Sequence, residues 1–147
     1  LKILTISFSW ALLTCIFLNP NLPKLSNFEV FHFFERLFFL ISVCLVFEIN
    51  DYDEDFSFQM SFPNKYGIET TRILAIFFIY VSLYFLFQGF KEFSPYVISV
   101  LTMSLLTQIS ILTVKPKSHF YFTRLWTEAL PIVPFIILKV NSLVDFF

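Results

Sequence analysis

Long apolar stretches dominate this sequence of 147 residues and restrict the folds open to it. They cover about residues 3–18, 28–49, 71–89, 96–114 and 125–140, with polar or proline-containing segments between them. A helix needs roughly 20 apolar residues to cross the hydrocarbon core of a bilayer, with a range of about 17–25. The pattern predicts an all-α membrane protein with about five transmembrane helices.

The composition of the sequence agrees with a single transmembrane domain over residues 1–147. Hydrophobic residues make up 57% of the chain and charged residues 14%, against about 45–50% and 25% in soluble domains. The net charge of −1 gives no reason to expect a nucleic-acid partner. Pro131 and Pro134 predict a kinked or tilted last helix. Since Leu1 is not Met and no signal-peptide pattern follows, we expect a fragment of a longer protein.

The most informative segment is acidic and follows the second apolar stretch. In a continued helix, Glu48, Asp51 and Asp55 would share one face, because they are three and four residues apart. Like charges beside a membrane repel one another, and a divalent cation such as Mg²⁺ would offset that repulsion. The alternative is a solvated acidic loop next to a membrane span.

Phe47-Glu48-Ile49-Asn50-Asp51, followed by Asp55, resembles the second aspartate-rich motif of the UbiA-type intramembrane prenyltransferase superfamily. Met60-Ser61-Phe62-Pro63 and Gly67 follow at similar distances, and Thr71-Arg72 opens the next stretch. The resemblance implies that the chain is the C-terminal part of a nine-helix fold. This sequence departs from the family pattern at Glu48, which replaces an aspartate, and at Asn50 and Met60, which replace basic residues. The family's first aspartate-rich motif is absent.

The resemblance also implies a function, the Mg²⁺-dependent transfer of a prenyl group from an isoprenoid diphosphate to an acceptor of unspecified chemistry. Asp51 and Asp55 would bind the metal and diphosphate, with Glu48 supporting them. Lys65 and Arg72 would contact phosphate, although basic residues beside a span also serve as topology anchors. Glu128 would lie at the cavity mouth or in the solvated interface. The resemblance assigns no catalytic residue in this chain.

Two other classes of function stay open. A noncatalytic multi-pass protein that binds lipid or a partner subunit is favoured by the positive charge missing at Asn50 and Met60. A transporter or channel ranks last, because few polar residues continue through the third and fourth stretches. Within the second stretch, pairing of Glu35 or His32 with Arg36, or snorkelling to the interface, is expected rather than a proton relay.

Basic residues predict the orientation of the chain in the membrane. With five helices, one side carries six of the 10 basic residues. They are Lys2, Lys65, Arg72, Lys115, Lys117 and Arg124. The positive-inside rule places this side, with the 50–70 loop, in the cytoplasm. The family resemblance points to a bacterial inner membrane.

Overall fold

A computed structural model describes residues 2–17, 27–52, 61–90 and 94–116, together with the single positions 132, 136, 137 and 139. The helices are α1 (Lys2–Leu12), α2 (Asn27–Asn50), α3 (Phe62–Tyr66), α4 (Ile68–Gly89) and α5 (Pro95–Thr113). A π-helical turn, Leu13–Phe17, extends α1. No strand occurs in these described ranges.

Three of the helices, α2, α4 and α5, are long and apolar enough to cross a membrane, which is the character of an integral membrane protein. The apolar part of the first helix, Lys2–Cys15, is shorter than a full span. The predicted fifth helix, 125–140, falls almost wholly outside the described residues. The all-helical membrane class is confirmed, and the count of five spans stays a prediction.

The core is built where α2 and α4 pack side by side. Leu45, Val46 and Ile49 of α2 are buried with Ala75 and Ile79 of α4. The Ser42 hydroxyl donates a 2.9 Å hydrogen bond to the Ala75 carbonyl. Small residues permit close helix approach in membranes, where hydrophobic driving force between helices is weak.

Phenylalanine rings extend this contact along the same two helices. Phe85 of α4 stacks on Phe34 and Phe38 of α2 with ring centroids 5.2 and 5.6 Å apart. Phe38 also stacks on Phe78 at 5.8 Å. Part of the large phenylalanine content is thus used in helix packing as well as on the outer surface.

The helix termini lie together in two groups, one at each end of the bundle. At one end, which we call the Asp51 end, lie the start of α1, the end of α2, α3, the start of α4 and the end of α5. Arg72 at the start of α4 reaches the Val114 carbonyl after α5 there. At the other end, the His32 end, the Cys15 thiol lies 3.8 Å from the His32 carbonyl. Asp51 and His32 therefore lie at opposite ends of the helix bundle.

Candidate functional site

A cavity of about 270 Å³ lies between α1 and α2 and reaches the Asp51 end. It is lined by Lys2, Ile3, Ile6, Trp10, Leu40, Val43, Cys44, Phe47, Glu48 and Asp51. Its α1 residues recur at helical spacing, as do those from α2, so one stripe of each helix forms a wall. The volume lies just below the range for small-molecule sites, about 300–1,000 Å³.

The lining divides into a charged part and an apolar part. Lys2, Glu48 and Asp51 supply one cation and two carboxylates at the Asp51 end. Farther from that end, Trp10 and Leu40 belong to a wall of aliphatic and aromatic side chains. A cavity of this kind fits an amphipathic molecule with a charged head and an apolar tail.

Glu48 connects the cavity wall to the short helix α3. Its Oε2 accepts a 2.9 Å hydrogen bond from the Phe62 backbone N–H, the first donor of α3. Ser61 is the N-cap of α3, yet its side chain makes no capping bond. A carboxylate suits a helix N-terminus because the first N–H groups lack partners within the helix. Glu48 therefore caps α3 from a neighbouring helix.

Asp51 extends α2 by one backbone hydrogen bond, from its N–H to the Phe47 carbonyl at 2.9 Å. Its Oδ1 accepts a 3.1 Å bond from Asn50 Nδ2. Glu48 and Asp51 both line the cavity, which agrees with their predicted placement on one helix face. Asp55 lies outside the described residues, so its predicted place beside them is untested.

Three more residues were predicted to bind phosphate or to lie at the cavity mouth. None of them lines the cavity in the described structure. Lys65 is exposed on α3, with its Nζ 5.0 Å from the centre of the Tyr66 ring. Arg72 pairs with Glu69 at 2.6 Å and donates to the Val114 carbonyl at 2.5 Å. These contacts give Arg72 a role in joining α4 to α5. Glu128 lies outside the described residues.

The donor chemistry of the cavity mouth is compatible with Mg²⁺. Magnesium commonly binds one or two carboxylates together with substrate phosphates and water. Glu48 and Asp51 supply two carboxylates on one wall, while the described ranges contain no group of three or more His, Cys, Asp or Glu side chains placed for a metal. Two carboxylates fit the share of the Mg²⁺ coordination shell that proteins usually supply.

A second polar group lies at the His32 end, inside the helix bundle. Glu35 is fully buried, and its Oε2 is 3.2 Å from His32 Nδ1 and 3.6 Å from Arg36 Nε. The Tyr96 hydroxyl of α5 is 3.1 Å from Arg36 Nη2 and 3.2 Å from His32 Nδ1. The predicted pairing within α2 is confirmed, and Tyr96 adds a link between α2 and α5.

Two features of the site were missed in the sequence. Helix α3 lies within the predicted 50–70 loop, although Ser61, Pro63 and Gly67 are typical start and stop residues for a short helix. The place of Cys44 in the cavity wall, with the Ser7 hydroxyl donating to its sulfur at 3.6 Å, depends on how α1 packs on α2. No sequence pattern signals that contact.

Comparisons with known proteins do not assign the chain to a family. No family model, no curated protein and no solved structure matches the chain. The resemblance to the UbiA-type prenyltransferases therefore rests on the acidic motif, the residues around it and the order of the apolar stretches.

Proposed function

We propose that this protein binds an isoprenoid diphosphate in the cavity between α1 and α2, as part of a UbiA-type prenyltransferase. The observation that carries the proposal is the shared cavity wall, on which Glu48 and Asp51 lie at the charged end of a largely apolar lining. An isoprenoid tail is apolar and a diphosphate is anionic, so the two parts of the ligand match the two parts of the cavity.

Binding of the head group would use charges from three elements. Glu48 and Asp51 would hold Mg²⁺, which neutralises negative charge that develops on the departing diphosphate. Lys2 lies on the α1 wall of the same cavity and would contact phosphate directly. Lys65 is carried on α3, which Glu48 caps, so its approach to the mouth depends on that cap.

The apolar residues would orient the tail. Ile6 and Trp10 of α1 line the cavity together with Leu40 and Val43 of α2. Such walls exclude water from the reacting carbon and strengthen electrostatic interactions at the charged end. Transfer of the prenyl group to an acceptor would then take place at the Asp51 end.

The proposal includes an orientation and a location. Lys2, Lys65, Arg72 and Lys115 lie at or beside the Asp51 end in the described structure. The positive-inside rule then makes this end cytoplasmic, and the family resemblance suggests the bacterial inner membrane.

A noncatalytic lipid-binding protein is the second candidate function. Its support is that Glu48 already serves as the cap of α3, and that Asn50 and Met60 stand where the family carries basic residues. Such a protein would hold the same class of ligand in the same cavity without turning it over.

Equilibrium binding separates these possibilities from an empty structural cavity. The full chain in lipid nanodiscs would be titrated with a radiolabelled prenyl diphosphate, with Mg²⁺ or with EDTA. We expect Mg²⁺-dependent binding that Asp51→Asn weakens at least tenfold, the loss of about 1.4 kcal/mol. Glu69→Gln is the matched control, because Glu69 lies at the same end but off the cavity wall.

The same preparation distinguishes the two candidate functions. Mg²⁺-dependent release of diphosphate in the presence of aromatic acceptors would support the transferase. Tight binding without turnover would support the lipid-binding protein. Binding that is equal in wild type and Asp51→Asn, or that ignores Mg²⁺, would contradict both.

A further inference from the structure

The outward face of α4 carries tyrosine hydroxyl groups within a predicted membrane span. Ile73, Phe77, Tyr80 and Tyr84 are exposed by 69%, 57%, 58% and 59%. Because they are spaced four, three and four residues apart, they lie on one side of the helix. We call this surface the Tyr80 face. The buried residues of α4, which include Ala75 and Ile79, lie on the opposite side.

Tyr80 is near the middle of α4, which has 22 residues and is therefore about 33 Å long. That length matches the hydrocarbon core of a bilayer, about 30 Å. The hydroxyls of Tyr80 and Tyr84 make no hydrogen bond with any residue in the described parts of the chain. Lipid tails offer no partner at this depth, and tyrosine is normally enriched at the membrane–water interfaces.

The outward face of α5 provides an internal contrast. Ile98, Leu105 and Ile109 are exposed by 47%, 60% and 52%. The threonine on this side, Thr102, donates its hydroxyl proton to the Ile98 carbonyl at 2.9 Å. This aliphatic face, whose threonine is satisfied within the helix, suits contact with lipid tails. The Tyr80 face lacks both properties.

We propose that the Tyr80 face packs against the same face of a second copy of this chain. All copies of a membrane protein insert with one orientation, so two α4 helices in a pair run parallel. A two-fold axis along the membrane normal then places each residue at the depth of its own counterpart. Tyr80 of one copy meets Tyr80 of the other.

The chemistry of the hydroxyl favours a second copy as the occupant. A tyrosine hydroxyl both donates and accepts, so two identical residues satisfy one another at the same depth. Ile73 and Phe77 supply apolar contact on one flank, where side chains interlock as in left-handed helix pairs. No residue of α4 lines the α1–α2 cavity, so this association leaves the cavity accessible and does not depend on the proposed function.

Disulfide cross-linking in lipid vesicles tests the proposal. Phe77→Cys would be placed in the full chain with Cys15→Ser and Cys44→Ser, which keeps both tyrosines. Leu105→Cys on α5 is the matched control, since Leu105 and Phe77 are exposed by 60% and 57%. With a membrane-permeant oxidant, we expect several-fold more product at Phe77→Cys, at twice the 17.4 kDa mass of the chain.

A second substitution tests the hydroxyl itself. Tyr80→Phe added to Phe77→Cys should weaken association about threefold, the value of one interhelical hydrogen bond of about 0.6 kcal/mol. Tyr66→Phe, at an exposed tyrosine of α3, should leave it unchanged. Equal cross-linking at Phe77→Cys and Leu105→Cys would overturn the proposal. So would a product of another mass, or an unchanged extent with Tyr80→Phe.

Discussion

Glu48 accepts a hydrogen bond from the Phe62 backbone N–H at 2.9 Å, although 14 residues separate the two in sequence. The bond joins the end of α2 to the start of α3. It also holds a cavity-lining carboxylate in place, because Glu48 belongs to the wall of the α1–α2 cavity. One side chain therefore serves both the local fold and the candidate site.

Substitution of Glu48 should separate these two roles. Glu48→Gln keeps an oxygen that accepts from Phe62, whereas Glu48→Ala removes it and should destabilise α3 by about 1–2 kcal/mol. We expect faster amide hydrogen exchange over residues 62–66 in Glu48→Ala and near wild-type exchange in Glu48→Gln. Equal exchange in the two variants would mean that the bond does not hold α3. Binding of a prenyl diphosphate should fall in both, because both lose the charge.

Gly67 separates α3 from α4 and has a positive φ of 86° with ψ of 156°. This backbone region is essentially restricted to glycine. Gly67→Ala should therefore destabilise the protein by about 1–3 kcal/mol, measured by thermal unfolding in detergent micelles.

Gly89→Ala is the matched control for Gly67. Gly89 is helical, and an added Cβ would meet the Phe31 Cβ at 3.3 Å, so the two helices would have to move apart by a few tenths of an ångström. Alanine also favours the helix by about 1 kcal/mol over glycine. The two effects oppose each other, so we expect little net change. A larger loss at Gly89 than at Gly67 would contradict this account of the backbone.

Substitutions of Glu35 and Arg36 should affect stability as expected for a buried ion pair. Arg36→Met leaves the buried Glu35 carboxylate with His32, 3.2 Å away, as its remaining partner, and we expect a loss of at most about 3–5 kcal/mol. Adding Glu35→Gln to Arg36→Met removes the buried carboxylate charge and should restore much of the stability. Steric-trap unfolding in bicelles would measure both variants. A double variant less stable than Arg36→Met alone would show that the ion pair is not the source of the effect.

Tyr96→Phe probes the link from this group to α5. The hydroxyl lies 3.1 Å from Arg36 Nη2, and its loss should cost about 0.6–1.7 kcal/mol, the range for interhelical hydrogen bonds in membranes. The same unfolding assay would detect it. Tyr66→Phe is a suitable control, since Tyr66 is an exposed tyrosine of α3.

Arg72 should contribute to stability more than the other basic residue considered for phosphate binding. Its guanidinium joins Glu69 and the Val114 carbonyl, so Arg72→Met removes a contact between α4 and the end of α5. We expect a loss of about 1.5–3 kcal/mol, the value of hydrogen bonds to charged groups. Lys65→Met, at an exposed position on α3, should change stability by less than about 0.5 kcal/mol. A weaker effect at Arg72 than at Lys65 would contradict this assignment.

The extent of the described helices followed from simple patterns in the sequence. The apolar stretches 28–49 and 96–114 correspond closely to Asn27–Asn50 and Pro95–Thr113. Spacing along one helix also placed Glu48 and Asp51 on the same wall. These features are local, and the helix period alone is enough to predict them.

Contacts between segments far apart in the sequence could not be predicted in this way. The cap that Glu48 provides crosses a loop, and Tyr96 joins Arg36 from a helix 60 residues later. The cavity itself exists because α1 and α2 leave space between particular side chains, which no periodicity reveals. Arg72 shows the same limit of sequence patterns. Its position near an acidic motif suggested phosphate contact, whereas its guanidinium donates a hydrogen bond to the Val114 carbonyl.

The central claim is that the α1–α2 cavity holds an isoprenoid chain with its diphosphate at Glu48 and Asp51. Cys44 lies in the wall of that cavity and provides a native reporter. In a Cys15→Ser background, the rate at which a membrane-permeant maleimide modifies Cys44 would be measured with and without a prenyl diphosphate and Mg²⁺. Val43→Trp, which fills the cavity, gives the rate expected for a blocked site.

We expect the prenyl diphosphate with Mg²⁺ to slow modification of Cys44 towards the Val43→Trp rate. Inorganic diphosphate alone should leave the rate unchanged, because it lacks the tail that covers the thiol. Asp51→Asn should shift the protection to prenyl diphosphate concentrations at least tenfold higher. A rate that the prenyl diphosphate does not alter, at concentrations that saturate binding, would contradict the claim that this cavity is the ligand site.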